Sequence, residues 1–86
     1  MKTTWRKEIE FACKEDGEDF SKLIFAIEEG GLDREFNSGY GGSEGSPFTA
    51  WGENWIYFPV VYDGAEWVGK VPRHPCDIQT SHQGGE

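Results

Sequence analysis

Hydrophobic positions change their period twice along this chain. Trp5, Ile9, Ala12 and Cys13 recur at helical spacing in a stretch rich in Lys, Glu and Ala. Thr3 or Thr4 offers an N-cap and Gly17 an αL stop, which predicts a helix of about three turns. Arg6 and Lys7 in its first turn oppose the helix dipole and favour fraying. Ile9, Phe11 and Cys13 also alternate, so a strand competes, but length and the glycine stop favour the helix. The run Leu23-Ile24-Phe25-Ala26-Ile27 is then too short and too apolar for a solvent-facing helix. With Glu28-Glu29-Gly30-Gly31 behind it, it reads as a buried strand that turns back, with one helix over residues 20–29 as the alternative. Leu32-Asp33-Arg34-Glu35-Phe36 alternates weakly and reads as a further strand.

From residue 47 to residue 72 the period settles at two, as in a three-stranded meander. Asp63-Gly64 is a type I′ turn dipeptide. It sets Tyr62 opposite Ala65, Val60 opposite Trp67, Phe58 opposite Gly69 and Ile56 opposite Val71, so all these residues share one apolar face. Phe58 over Gly69 is an aromatic side chain repairing a weak strand position. Upstream, a three-residue loop of Gly52-Glu53-Asn54 places Phe48 and Ala50 on the same face, whereas a two-residue loop mixes apolar and polar positions. Thr49, Trp51, Trp55, Tyr57, Pro59, Val61, Glu66, Val68 and Lys70 fall on the other face. One short helix covers one face only. The expected core is Trp5, Ile9, Phe48, Ile56, Phe58, Val60 and Trp67. The expected open surface is then the mixed face with its Trp51, Trp55 and Tyr57, unless the N-terminal strands or the glycine loop fold over it.

At 86 residues the chain has room for a single small α+β domain, an N-terminal helix packed on a mainly antiparallel sheet that ends in the three-stranded meander. Residues 1–76 form the domain and 77–86 a polar, flexible tail. The net charge of −8 argues against binding nucleic acid or anionic membrane directly and fits a partner with a basic surface. The acids are concentrated: residues 15–66 hold twelve of them against only Lys22 and Arg34. The first residues lack the apolar core of a signal peptide, and no stretch reaches the ~20 apolar residues of a membrane span. Cys13 and Cys76 therefore read most simply as free thiols of a reducing cytoplasm, with a disulfide between them as the lesser alternative.

Candidate chemistry is sparse. Residues 37–46 form a glycine-rich loop, but Gly39-x-Gly41 is followed by Glu44 where a dinucleotide fingerprint needs glycine, and Glu44 repels phosphate. His74, Cys76, Asp77 and His82 lack the spacing of a zinc site, and Pro72 and Pro75 extend the chain around them. Neither cysteine has an evident orienting histidine. The carboxylate pairs carry no sign of desolvation. The expectation is a protein without catalytic residues, metal or cofactor. Its candidate partner-binding residues are the aromatics Trp51, Trp55, Tyr57 and Tyr40 and the acids Glu28, Glu29, Asp33, Glu35 and Glu44.

The segment Gly39-Tyr40-Gly41-Gly42-Ser43-Glu44-Gly45-Ser46-Pro47-Phe48-Thr49-Ala50-Trp51, the run from Tyr57 to Gly69 and the Pro72-Arg73-x-Pro75 ending resemble a group of small uncharacterised tailed-bacteriophage proteins. Trp55-Ile56 and His74 depart from that pattern. The resemblance implies a phage origin and the cytoplasm of an infected bacterium, and no activity. Small acidic phage proteins outside the virion often act stoichiometrically on host systems, including defence systems such as CRISPR or restriction, and acidic surfaces can occupy grooves built for phosphates. The expected function is thus a non-enzymatic inhibitor of a host protein or nucleoprotein complex. The alternative is a structural or assembly protein of the phage that forms a homodimer through its aromatic sheet face.

Overall fold

A computed structural model of the chain describes residues 2–39 and 44–84. The fold is α+β. Strand β1 (Lys2–Thr3) leads into helix α1 (Trp5–Asp16) and a 3₁₀ turn (Phe20–Lys22). Strands β2 (Ile24–Ile27), β3 (Phe36–Asn37), β4 (Phe48–Trp51), β5 (Trp55–Tyr62) and β6 (Ala65–Pro72) follow. One sheet has the antiparallel order β2-β4-β5-β6, and β1 pairs with β3 in a separate two-stranded ribbon.

The helix begins and ends where its capping residues put it. Thr4 accepts a hydrogen bond from Lys7 N–H at 3.2 Å, and Gly17 closes the C-terminus at φ 72°. The run after Phe20 is a strand rather than a helix. It forms the sheet edge rather than its centre, so Ile24 stays 63 % exposed. The strand expected over residues 32–36 shrinks to Phe36–Asn37, because residues 28–33 make hydrogen-bonded turns, including Gly31 N–H to Glu28 C=O at 2.9 Å.

The β5–β6 hairpin has the predicted register throughout, with Asp63 at φ 52° and Gly64 at φ 87°. The β4–β5 hairpin does not. Its loop is two residues, Glu53-Asn54, closed by Gly52 N–H to Trp55 C=O at 2.7 Å, so Ala50 pairs with Tyr57 and Trp51 with Ile56. A shift of one position turns the whole of β4 over. The cause lies outside the hairpin: the Glu18 carboxylate, just past the helix, accepts the N–H groups of Glu53, Asn54 and Trp55 at 2.8–3.0 Å.

That slip decides which face becomes the core. Phe48 and Ala50 join Tyr57 on the mixed face, and Trp5, Ile9 and Cys13 of α1 pack on them together with Phe36. Trp5 and Ile9 are completely buried. The Trp5 ring lies 4.7 Å from Phe36 and 4.9 Å from Phe48, and its Nε1–H donates to Ser46 C=O at 2.9 Å. Gly45 gives the indole room, since a Cβ there would stand 2.7 Å from Nε1. Of the expected core, Trp5, Ile9, Phe48 and Val60 are buried. Ile56 and Phe58 are only half-buried and Trp67 is 38 % exposed.

Candidate functional site: the uncovered sheet face

The apolar face of the sheet, expected to be the core, is the open one. Its register builds an unbroken row across all four strands: Ile24, Trp51, Ile56 and Val71. Phe58 over Gly69, Val60 beside Trp67 and Tyr62 beside Ala65 extend it toward the Asp63-Gly64 turn. No charged side chain projects from this face within the four strands. Among the described residues no helix or strand packs over it; the tail borders it at one side, where Gly84 comes against the buried Val60 and residues 78–83 lie beside Trp67 and Gly69. Ile24, Tyr62 and Trp67 are 63, 51 and 38 % exposed, and Trp51, Ile56, Phe58 and Val71 are half-buried.

The covered face tolerates its polar groups because each has a partner. Tyr57 Oη donates to Asp16 Oδ2 at 2.9 Å, Lys70 Nζ pairs with the same carboxylate, and that ammonium sits 4.2 Å above the Trp55 ring. Burial first, and the bond to Asp16 next, raise the Tyr57 hydroxyl above its ordinary pKa. Burial also pushes the neighbouring Cys13 thiol up to about 11. Glu66, only 7 % exposed, accepts the N–H groups of Glu44 and Gly45 and so holds the returning end of the glycine loop.

The expected site residues therefore separate. Tyr57 is fully buried and is no surface anchor. Trp55 lies on the covered face, under Lys70, while Trp51 lies on the open one. Tyr40 falls outside the described residues. Among the acids, Glu28 accepts from Ser46 Oγ at 2.5 Å and Glu44 from Asn37 N–H at 3.0 Å. Asp33 is bridged to Arg6 at 2.7 Å, which holds its carboxyl below the usual range. Glu29 and Glu35 point into solvent. Part of the acidity is thus used within the fold, and the acids do not line the open face. Ile24, Phe58, Tyr62, Trp67 and Val71 belong to that face without having been singled out. The β5–β6 register had already put four of them together, but their apolar character, with β4 placed one position out, made that face the expected core.

Among the described residues no three His, Cys, Asp or Glu side chains gather where they could hold a metal ion. Cys76 is exposed and Cys13 buried, both as free thiols. Among the described residues no helix is long and apolar enough to cross a membrane. Comparison with protein-family models, curated proteins and solved structures found no match.

Proposed function

We propose that the chain is a stoichiometric, non-enzymatic protein-binding inhibitor of a host system, made by a tailed phage and acting in the cytoplasm of the infected bacterium. The observation that carries this reading is the open sheet face. Clustered, half-exposed Trp, Phe, Tyr and Ile side chains on a rigid scaffold supply the desolvated anchors that dominate protein interfaces. A chain of net charge −8 favours a partner whose apolar patch is ringed by Lys and Arg, through faster association more than through tighter contact. Such a ring occurs around nucleic-acid grooves, which keeps a defence complex or a nucleic-acid enzyme as the target class.

Self-association through the same face is the second reading, favoured by the absence of charge on it. Long-range repulsion between two copies, each of net charge −8, opposes it. Capture from host lysate, compared with an Ile24→Thr/Trp67→Thr variant, tests the proposal alongside light scattering of the purified chain. The expected result is a monomer that retains one host protein in equal stoichiometry, with retention weakened by salt and lost in the variant. A dimer dissolved by the same two substitutions, with no host protein retained, establishes the assembly reading instead.

A further inference from the structure

The outer edge of β6 is unpaired along part of its length. In a hairpin with a two-residue turn, Tyr62↔Ala65 exchanges both backbone bonds, and the alternation continues through Val60↔Trp67, Phe58↔Gly69 and Ile56↔Val71. The odd-numbered residues of β6 thus direct their N–H and C=O at β5, and the even-numbered residues turn theirs outward. One bond confirms the phase: Glu66 N–H donates away from β5, to Ser38 C=O at 2.7 Å. Val68 and Lys70 aim the same way, and among the described residues nothing bonds to their N–H or C=O. Pro72, with no N–H, ends the row.

Beyond that edge lies a groove of ≈ 530 Å³ between β6, α1 and residues 78–83 of the tail. Glu8 and Glu15 border it on the helix side, with Phe11, 66 % exposed, between them. Trp67 marks the opposite side of the same strand, where the open apolar face begins. An exposed edge of this kind is a template for strand addition.

We propose that the β6 edge accepts, as a fifth strand, an extended segment of the protein partner in which basic and apolar residues alternate. Backbone bonds to Val68 and Lys70 fix its position. Period two puts every basic side chain toward α1, where the ammonium or guanidinium groups meet Glu8 and Glu15 and the methylene stems lie on Phe11. The same period puts every apolar side chain beside Trp67, which widens the open face by one strand. A segment of acidic residues sets its carboxylates against Glu8 and Glu15, and the one cation of the groove lining, Lys70, is already paired with Asp16. The proposal rests on the chain being a protein binder, and a free peptide tests it apart from that reading.

The probe is a short, end-capped peptide of alternating lysine and valine, added to the isotopically labelled full chain and followed by amide shifts and hydrogen exchange. Without peptide, the Val68 and Lys70 amides exchange at least tenfold faster than those of Trp67 and Gly69. With it, Val68 and Lys70 become protected. Methylating the peptide nitrogens that face β6, or replacing its lysines with glutamate, removes the protection. Glu8→Gln combined with Glu15→Gln weakens binding about tenfold, as two exposed ion pairs should. Val68 and Lys70 amides already protected in the free chain, shifts confined to other strands, or equal binding of the methylated peptide each overturn the proposal. Failure here alongside host-protein capture that still depends on Ile24 and Trp67 leaves the inhibitor reading standing. Loss of both removes both.

Discussion

The two faces of the four-stranded sheet have exchanged the roles their composition suggests. The covered face carries Tyr57, Glu66 and Lys70, yet it is the one that meets α1. The open face carries no charge in its strands, yet it meets solvent. Composition alone is therefore a poor guide to the inside of a domain this small. Polar groups can go under a helix when each finds a partner, because a satisfied buried hydrogen bond costs little while an orphan costs about 1–3 kcal/mol. Asp16 answers both Tyr57 and Lys70, and Glu66 answers two backbone amides. An apolar face left open has no such internal explanation, and this contrast is the ground on which a binding role is proposed for it.

If the covered face is the true core, Trp5→Ala should have the largest effect on stability. It removes a fully buried indole, opens a cavity between Phe36 and Phe48, and orphans the Ser46 carbonyl. Loss of about 3–5 kcal/mol is expected, most of the stability of a domain of this size, so the variant should show no cooperative melting transition. Phe58→Ala, on the open face, should cost about 2 kcal/mol or less because Phe58 is only half-buried. Equal losses for the two variants in a urea titration would mean that the faces are not distinct.

Alkaline pH probes the same side. The Cys13 thiol is raised from about 9 to about 11 and Tyr57 is raised as well, so the folded chain keeps protons that the unfolded chain releases. A group raised in the folded state contributes stability fully below its unfolded pKa and loses it as pH climbs through the folded value. Stability should therefore be nearly flat up to pH ~9 and fall by about 3–4 kcal/mol by pH ~11, about 2 of it from the thiol. Cys13→Ala should flatten the part of that fall due to the thiol. A colorimetric thiol titration at neutral pH should register Cys76 at once and Cys13 only on unfolding. Immediate reaction of both would place Cys13 at the surface.

Glu18 is where sequence reasoning failed and the structure supplies the reason. The helix with its two caps, the α+β class and the whole β5–β6 register were legible, because capping residues and an Asp-Gly turn act within a few positions. The β4–β5 loop was not. Glu53-Asn54 has no residue at positive φ, and its closure depends on a carboxylate 35–37 positions away. No local pattern announces such a bond, and one missed residue in a loop inverts a strand. Trp51 and Tyr57 were therefore placed on a common face that they do not share. Glu18→Ala should cost about 2 kcal/mol, since it strands three backbone donors at a partly exposed turn. In its amide spectrum Glu53, Asn54 and Trp55 should move most. A loss below about 0.5 kcal/mol would show that the hairpin sets its own register.

The smallest expected effect on stability is also the one that most sharpens the contrast between the faces. Ile24→Thr and Trp67→Thr leave a strand-favouring residue at each site, so the backbone preference is preserved. Ile24 sits at the sheet edge, 63 % exposed, so little apolar area returns to water when it is shortened, whereas Trp67, 38 % exposed on the outermost opposite strand, gives up more. Ile24→Thr should cost below about 1 kcal/mol and Trp67→Thr about 2 kcal/mol, both well short of Trp5→Ala. Because these two residues lie at opposite ends of the open face, a partner that spans it must desolvate both. Truncation of either anchor should then cost about 2 kcal/mol or more in binding, roughly thirtyfold in Kd and mostly in the dissociation rate. A surface that exists for binding separates stability from affinity in this way. Destabilisation as severe as that of Trp5→Ala would instead make the open face part of the core.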